Sequence, residues 1–267
     1  MADNLIEGLI SARISPVRAY RRQQYSCFLP KFIQKATKRV SVSPIGRMEQ
    51  PKSFNSVAAS VQPLEASTMS RFDNTLPSKE VLEAVAEWTT GAMNGSVLFE
   101  EALAARLSLF NPSLAQVQDF LEKRPPRISP GLDELIKQLR DNGTSIYLVS
   151  GGFRQMINPI ASILGIPLEN IFANKLLFLS SGEFLGFDTN EPTSRSGGKA
   201  TAVQHIRTAH GYQSLIMIGD DATDLEARQP GGADLFICYG GVQLRETVAA
   251  KADWLVFKFR DLINSLE

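Results

Sequence analysis

Cysteine is nearly absent from this chain. Cys27 and Cys238 are the only two in 267 residues, far apart and without Cys-x-x-Cys or Cys/His ligand spacing, so neither a disulfide framework nor a structural zinc site is supported. A reducing compartment fits that usage. Long apolar runs are lacking as well: the longest are strand-sized, too short to cross a bilayer. Charge of one sign is not in excess, with 28 Lys and Arg against 28 Asp and Glu, which removes a general pull toward a nucleic-acid backbone or an anionic membrane. What is present is core material. At 43% apolar and 21% charged, the chain can build one large or two small domains and is too apolar to be disordered throughout.

The neutral total hides an asymmetry. Residues 1–65 carry ten basic residues, from Arg13 to Lys52, against four acidic ones, and no acid lies between Glu7 and Glu49. A basic, Ser-containing, acid-poor N-terminus without a compact apolar core is the pattern of an organelle transit peptide, the alternative being a basic arm that holds something anionic. Either way, residues 1–65 are expected to lie outside the fold, with 66–83 a linker running into the first helix.

From about Pro77 the chain becomes periodic. Val81, Leu82, Val85 and Trp88 recur at helical spacing behind Ser78 as an N-cap, a second helix follows over Leu98 to Leu109, and a third starts after Pro112-Ser113. Pro125-Pro126 ends this helical stretch, a candidate small cap at 84–124. Residues 125–267 then alternate. Helices over 130–142, 153–164, 198–210, from Ala222, and near 243–249 are interleaved with strands over 145–149, 170–173, 214–218, 234–238 and 254–257, with a hairpin over 175–187. Such alternation predicts an α/β fold with a mostly parallel sheet covered by helices on both faces, its ligands at the carboxyl ends of strands.

Three of those ends carry unusual chemistry. Strand 145–149 runs into Ser150-Gly151-Gly152-Phe153-Arg154, a hydroxyl and unhindered backbone N–H groups at a helix start, which suits an anion; the plain alternative is that Ser150 caps the helix. Gly197-Gly198-Lys199 opens a helix with a cation at the positive end of the dipole, where Lys199 wants an anionic partner unless it is simply solvated. Gly219-Asp220-Asp221-Ala222-Thr223-Asp224 crowds three carboxylates and a hydroxyl at a strand end. Carboxylates so close repel unless a cation such as Mg²⁺ holds them, or unless they cap a helix. A hydroxyl with backbone donors, a Lys and a carboxylate cluster on successive units of one sheet together describe a magnesium-dependent phosphoryl-transfer site.

These segments, with Ala102-Leu103-Ala104-Ala105-Arg106-Leu107-Ser108-Leu109 and Gly182-Glu183-Phe184-Leu185-Gly186-Phe187-Asp188, resemble the phosphoserine phosphatases, a branch of the haloacid-dehalogenase-type phosphatases, and most closely their plant plastid form. The resemblance covers about two thirds of the chain, from Ala84 onward. It implies Mg²⁺-dependent hydrolysis of O-phosphoserine in serine biosynthesis, a chloroplast stroma address with the mitochondrion as second choice, and a small-molecule phosphomonoester partner rather than nucleic acid or membrane. It further implies that Ser150, Gly151 and Gly152 hold the phosphoryl group and that Lys199 neutralises it. Asp220 would bind Mg²⁺ with Asp224 in support, and Thr223 would touch substrate. In the cap, Met93, Asn94 and Arg106 match positions that receive the serine end, Arg106 pairing with its carboxylate. A homodimer, or pairing with an intact copy, is a further expectation from the family.

The departures bear on activity. The family's chemistry starts from a core strand ending Asp-x-Asp-x-Thr, whose first Asp attacks phosphorus. The Asp residues here stand at 3, 73, 119, 133, 141, 188, 220, 221, 224, 234, 253 and 261, no two of them two positions apart. The pair is absent. Arg71-Phe72-Asp73-Asn74-Thr75 resembles only its tail, with Arg71 in the nucleophile's place, and Asp73 is a weak catalytic candidate set against a linker or turn reading. The missing strand and a following helix would belong between Glu83 and Ala84, so the sequence predicts a destabilised or rearranged sheet without its central first strand, whose two edges close on each other or stay open. Asp221, where the family has Gly, adds charge beside the metal ligand. Two functions follow: the family's hydrolysis, weakened by the lost nucleophile, or a non-catalytic phosphate- or phosphoserine-binding isoform that pairs with or competes against the intact enzyme.

Overall fold

The structure, a computed structural model, describes residues 56–59, 79–93, 96–126 and 128–266. Its centre is a six-stranded sheet of β1 (Ser56–Ala59), β2 (Ser145–Phe153), β3 (Ile171–Asn174), β6 (Leu215–Gly219), β7 (Leu235–Tyr239) and β8 (Trp254–Val256), in the order β3-β2-β1-β6-β7-β8 and parallel at every junction. A separate antiparallel hairpin pairs β4 (Leu176–Phe178) with β5 (Phe184–Phe187).

Strands buried on both faces read as continuous apolar runs, and the pleat sorts each run onto two sides. Ile146, Leu148, Ile216 and Ile218 join a core with α4 (Leu132–Asp141), α5 (Arg154–Ile163) and α9 (Phe259–Ile263). Tyr147, Val149, Leu215 and Met217 face α6 (Gly198–His210) and α8 (Glu246–Ala249). The expected helices and strands of 130–257 are present within a few residues of their expected ends. The fold class stands as read.

The helical stretch before the sheet is α1 (Lys79–Met93), α2 (Phe99–Phe110) and α3 (Leu114–Lys123). α3 starts after Pro112-Ser113 as expected, and Ser113 caps it, accepting from the Gln116 N–H while Gln116 accepts from the Ser113 N–H. Leu103, Leu107, Val117 and Phe120 pack on Phe153 and Leu176, with Phe178, Phe184 and Phe187 at the margin. Cap helices and hairpin therefore share one apolar cluster, over the end of β2. In α1, Val85 is buried but Leu82 is exposed, and Ser78, its expected N-cap, lies outside the described residues.

Two expectations need correction. The sheet has a central strand: Ser56–Ala59 pairs with β2 from Ser56↔Ser145 to Ala59↔Leu148, and with β6 from Ser56↔Leu215 to Ala59↔Ile218. The physical reason is that two apolar strands with facing empty edges leave backbone groups unpaired, and a short small-residue stretch can satisfy both. Ser56 is buried and its Oγ donates to the Ser214 carbonyl at 3.3 Å, while Val57 enters the core. Because these residues fall within 1–65, the leader reading does not hold for the whole of that span.

Candidate active site

β2, β1 and β6 lie side by side with their carboxyl ends on one edge of the sheet. Ala59 is level with Leu148 and with Ile218, so Ser150 and Asp220 each follow that level by two residues, on either side of the central strand. The strand between them offers no acid: beyond Ala59 the sequence reads Ser60-Val61-Gln62-Pro63-Leu64 before Glu65.

Ser150 does not cap a helix. β2 continues to Phe153, which is itself the N-cap position of α5, and the fully buried Ser150 accepts the Gly152 N–H on its Oγ at 3.0 Å. Asn174, also fully buried, donates to the Gly151 carbonyl at 2.7 Å and accepts from the Thr193 hydroxyl at 3.0 Å. A satisfied polar network of this kind fixes the turn in one geometry.

Lys199 is the second residue of α6 and 9% exposed; its Nζ donates to Asp224 Oδ1 at 2.8 Å, so the anion it needs is supplied by the third strand end. Gly198 before it has no room for a side chain, since a Cβ there would lie 2.2 Å from the Pro192 carbonyl oxygen. Asp224, at zero exposure, accepts on Oδ2 from the Asp220 N–H at 3.1 Å and the Asp221 N–H at 3.0 Å. Gly219 permits this approach: a Cβ on it would sit 2.3 Å from Asp224 Oδ2. Asp221 is the N-cap of α7 (Ala222–Leu225) and accepts from the Ala222 N–H at 2.5 Å, and Thr223 lies half-buried in that short helix.

Asp220 is 4% exposed and pairs with the Arg245 guanidinium. Burial raises its carboxyl above the ordinary range, and the Asp224 and Asp221 charges add to that while Arg245 opposes it. Burial also pushes the neighbouring Cys238 thiol up to about 11, with Asp220 and Asp224 contributing. Cys238 is a buried hydrophobe here, not a nucleophile.

A clasp ties the start of α2 to the loop before α6. Leu98, at the N-cap position of α2, has no capping side chain; Ser196 Oγ instead accepts the Phe99 N–H at 3.1 Å, while the Ser196 N–H and hydroxyl donate to Glu100 Oε2 at 3.0 and 3.2 Å. Glu100 is held below the ordinary carboxylate range, first by its own backbone N–H, then by Ser196 and Arg195. Farther along α2, Arg106 is 9% exposed and donates from Nε to the Ala102 carbonyl at 3.1 Å.

Residues 36–232 match the family of haloacid dehalogenase-like hydrolases. Over 295 residues the chain is 55% identical to the chloroplastic phosphoserine phosphatase of Arabidopsis thaliana, spanning 98% of this chain and 100% of that protein. The chain belongs to the phosphoserine phosphatase family. It is also 43% identical over 187 residues to the phosphoserine phosphatase of Homo sapiens, across 70% of this chain and 82% of that one. Among solved structures, a phosphoserine phosphohydrolase-like protein from Francisella tularensis superposes with a TM-score of 0.68 at 26% identity, covering 80% of this chain and 100% of that chain.

Set against the family expectation, Ser150, Gly151, Gly152, Lys199, Asp220, Thr223 and Asp224 come to one edge of the sheet, and Arg106 lies in the cap. Asp73, Asn94 and the Met93 side chain lie outside the described residues. The magnesium ligand pair does not fit its donors. Asp224 has both oxygens committed to Lys199 and two backbone N–H groups, Asp221 caps α7, and Asp220 is paired with Arg245. No group of three His, Cys, Asp or Glu suited to a metal stands among the described residues. Arg245, Asn174 and the Ser196–Glu100 clasp were not singled out by the sequence reading. Arg245 follows the Gly240-Gly241 turn after β7, so the strand-end rule, applied to one more strand with a cation sought opposite the acidic cluster, would have found it.

Proposed function

We propose that this chain recognises O-phosphoserine and does not hydrolyse it. The observation that carries the reading is the central strand: Ser-Val-Ala-Ala stands between Ser150 and Asp220, with no carboxylate before Glu65. The family route needs an aspartate there to form the covalent intermediate, and removing a nucleophile costs several orders of magnitude in rate. What remains suits binding. Ser150 with the Gly151-Gly152 turn faces the phosphoryl group, Lys199 balances its charge, Thr223 contacts it, and Arg106 with Met93 and Asn94 receives the serine end. Binding on this reading uses no Mg²⁺, since Asp220 is paired with Arg245 and Asp224 with Lys199. The acid-poor basic N-terminus and the chloroplastic relative both favour the plastid stroma, where a binding chain would compete with, or pair with, an intact enzyme.

The test is phosphate release from O-phosphoserine with and without Mg²⁺, run beside calorimetric titration of O-phosphoserine, on the chain and on Asp220→Asn. Binding without turnover is expected. Mg²⁺-dependent release that vanishes in Asp220→Asn would overturn the proposal, and so would a folded chain that binds no phosphoserine.

A further inference from the structure

The acidic strand end after β6 holds two cations of the chain's own. Lys199 takes one oxygen of Asp224 at 2.8 Å, and the other oxygen is filled by the N–H groups of Asp220 and Asp221. That leaves the Asp220 carboxylate as the group a divalent ion would need, and Arg245 reaches it from beyond β7. Arg245 Nη1 donates both to the Asp220 carboxylate and, at 3.3 Å, to the Asp220 carbonyl, so the guanidinium spans the two oxygens of one residue. The contact is sheltered, with Asp220 4% exposed and the Arg245 side chain one-quarter exposed.

Mg²⁺ demands a near-octahedral oxygen shell and is usually bound through one or two carboxylates. A guanidinium is always charged, weakly hydrated and a fitting partner for a buried carboxylate. A metal arriving at Asp220 must therefore displace a resident charge as well as shed its own water. The central strand lends no second carboxylate to assist it, since its nearest acid in sequence is Glu65.

We propose that Arg245 stands in the place of a divalent cation at Asp220 and keeps this site free of metal. The inference rests on the reading of this strand end as the family's phosphate site, but it concerns a cation and can fail separately. The probe is Mn²⁺ alone, without phosphoserine, followed by electron paramagnetic resonance and by the shift in thermal midpoint. The native chain should leave Mn²⁺ free. Arg245→Gln should bind it with a gain of at least about tenfold in affinity, equivalent to about 1.4 kcal/mol, and Arg245→Gln with Asp220→Asn should lose that gain.

Two results overturn the proposal: Mn²⁺ binding by the native chain that Asp220→Asn removes, or an Arg245→Gln variant that unfolds cooperatively yet binds no better than the native chain. Should Arg245→Gln fail to fold, the native chain against Asp220→Asn still decides, because it needs no change at Arg245. Phosphoserine binding plays no part in these readouts, so failure of the functional proposal and failure of this one are told apart.

Discussion

Replacing Lys199 with Met keeps most of the side chain's volume and removes its charge, leaving Asp224 at zero exposure without its ion-pair partner. At the observed 2.8 Å separation, the pair attracts by about 6 kcal/mol at an effective dielectric of about 20, a gross figure that desolvation of both groups largely offsets. Breaking a buried pair from one side costs about 3–5 kcal/mol, because the remaining charge is stranded. Asp224 keeps two backbone donors on Oδ2, so the loss should fall at the low end, about 3 kcal/mol. Urea unfolding at neutral pH measures it, provided the slope is unchanged. The double variant Lys199→Met with Asp224→Asn should cost less than the two single changes added together, since it strands no charge. A single change of less than about 1 kcal/mol, as for an exposed ion pair, or strict additivity in the double variant, would refute the reasoning.

The close packing at Gly219 and the clasp at Ser196 give two further expectations. Gly219→Ala puts a methyl where Asp224 Oδ2 lies 2.3 Å away, and Asp224 is pinned from three sides, so a loss of about 1–3 kcal/mol is expected; an unchanged thermal midpoint would mean that Asp224 is free to move. Ser196→Ala removes the only side-chain cap seen on α2 among the described residues and should cost about 1 kcal/mol, read as faster hydrogen exchange at the Phe99 amide. Because the Glu100 carboxyl is held below its ordinary value of 4.5, its contribution is present above that pH and is lost as pH falls through the lowered value. The Phe99 protection factor, which takes out the intrinsic pH dependence of exchange, should therefore fall on acidification below about 4.5, a fall that Glu100→Gln abolishes.

The parts legible in the sequence were those where one residue type answers to one local rule. Ile146-Tyr147-Leu148-Val149 and Leu215-Ile216-Met217-Ile218 are apolar on both faces, which only a strand covered on both sides tolerates, and Pro112-Ser113 marks a helix start. Lys199 at a helix opening signalled a missing anion, and Asp224 is that anion. Ser56–Ala59 was not legible, because Ser-Val-Ala-Ala has little strand propensity of its own and is recruited by the two facing edges of β2 and β6. Asn174, Arg245 and the Ser196–Glu100 clasp escaped for a related reason. Each acts across a long sequence separation on a backbone group or charge that only the assembled sheet brings near.

The central strand separates two demands that one segment usually meets together. The slot between β2 and β6 asks for backbone N–H and C=O groups at the right spacing and for side chains small enough to pass between two covered faces. Ser56, Val57, Ala58 and Ala59 meet that demand, with ladder pairing on both sides. Chemistry at the carboxyl end asks instead for a carboxylate level with Ser150 and Asp220, and nothing in the folding requirement selects for one. Under the proposed function, closing the sheet therefore sets Ser150, Lys199 and Asp220 on one platform without supplying the carboxylate that the family's attack on phosphorus uses. A carboxylate in that slot would also have offered a second oxygen donor to a cation beside the Asp220 that Arg245 pairs with. On the proposed reading, a central strand that meets the folding demand without a carboxylate leaves the sheet closed and the family's nucleophile missing.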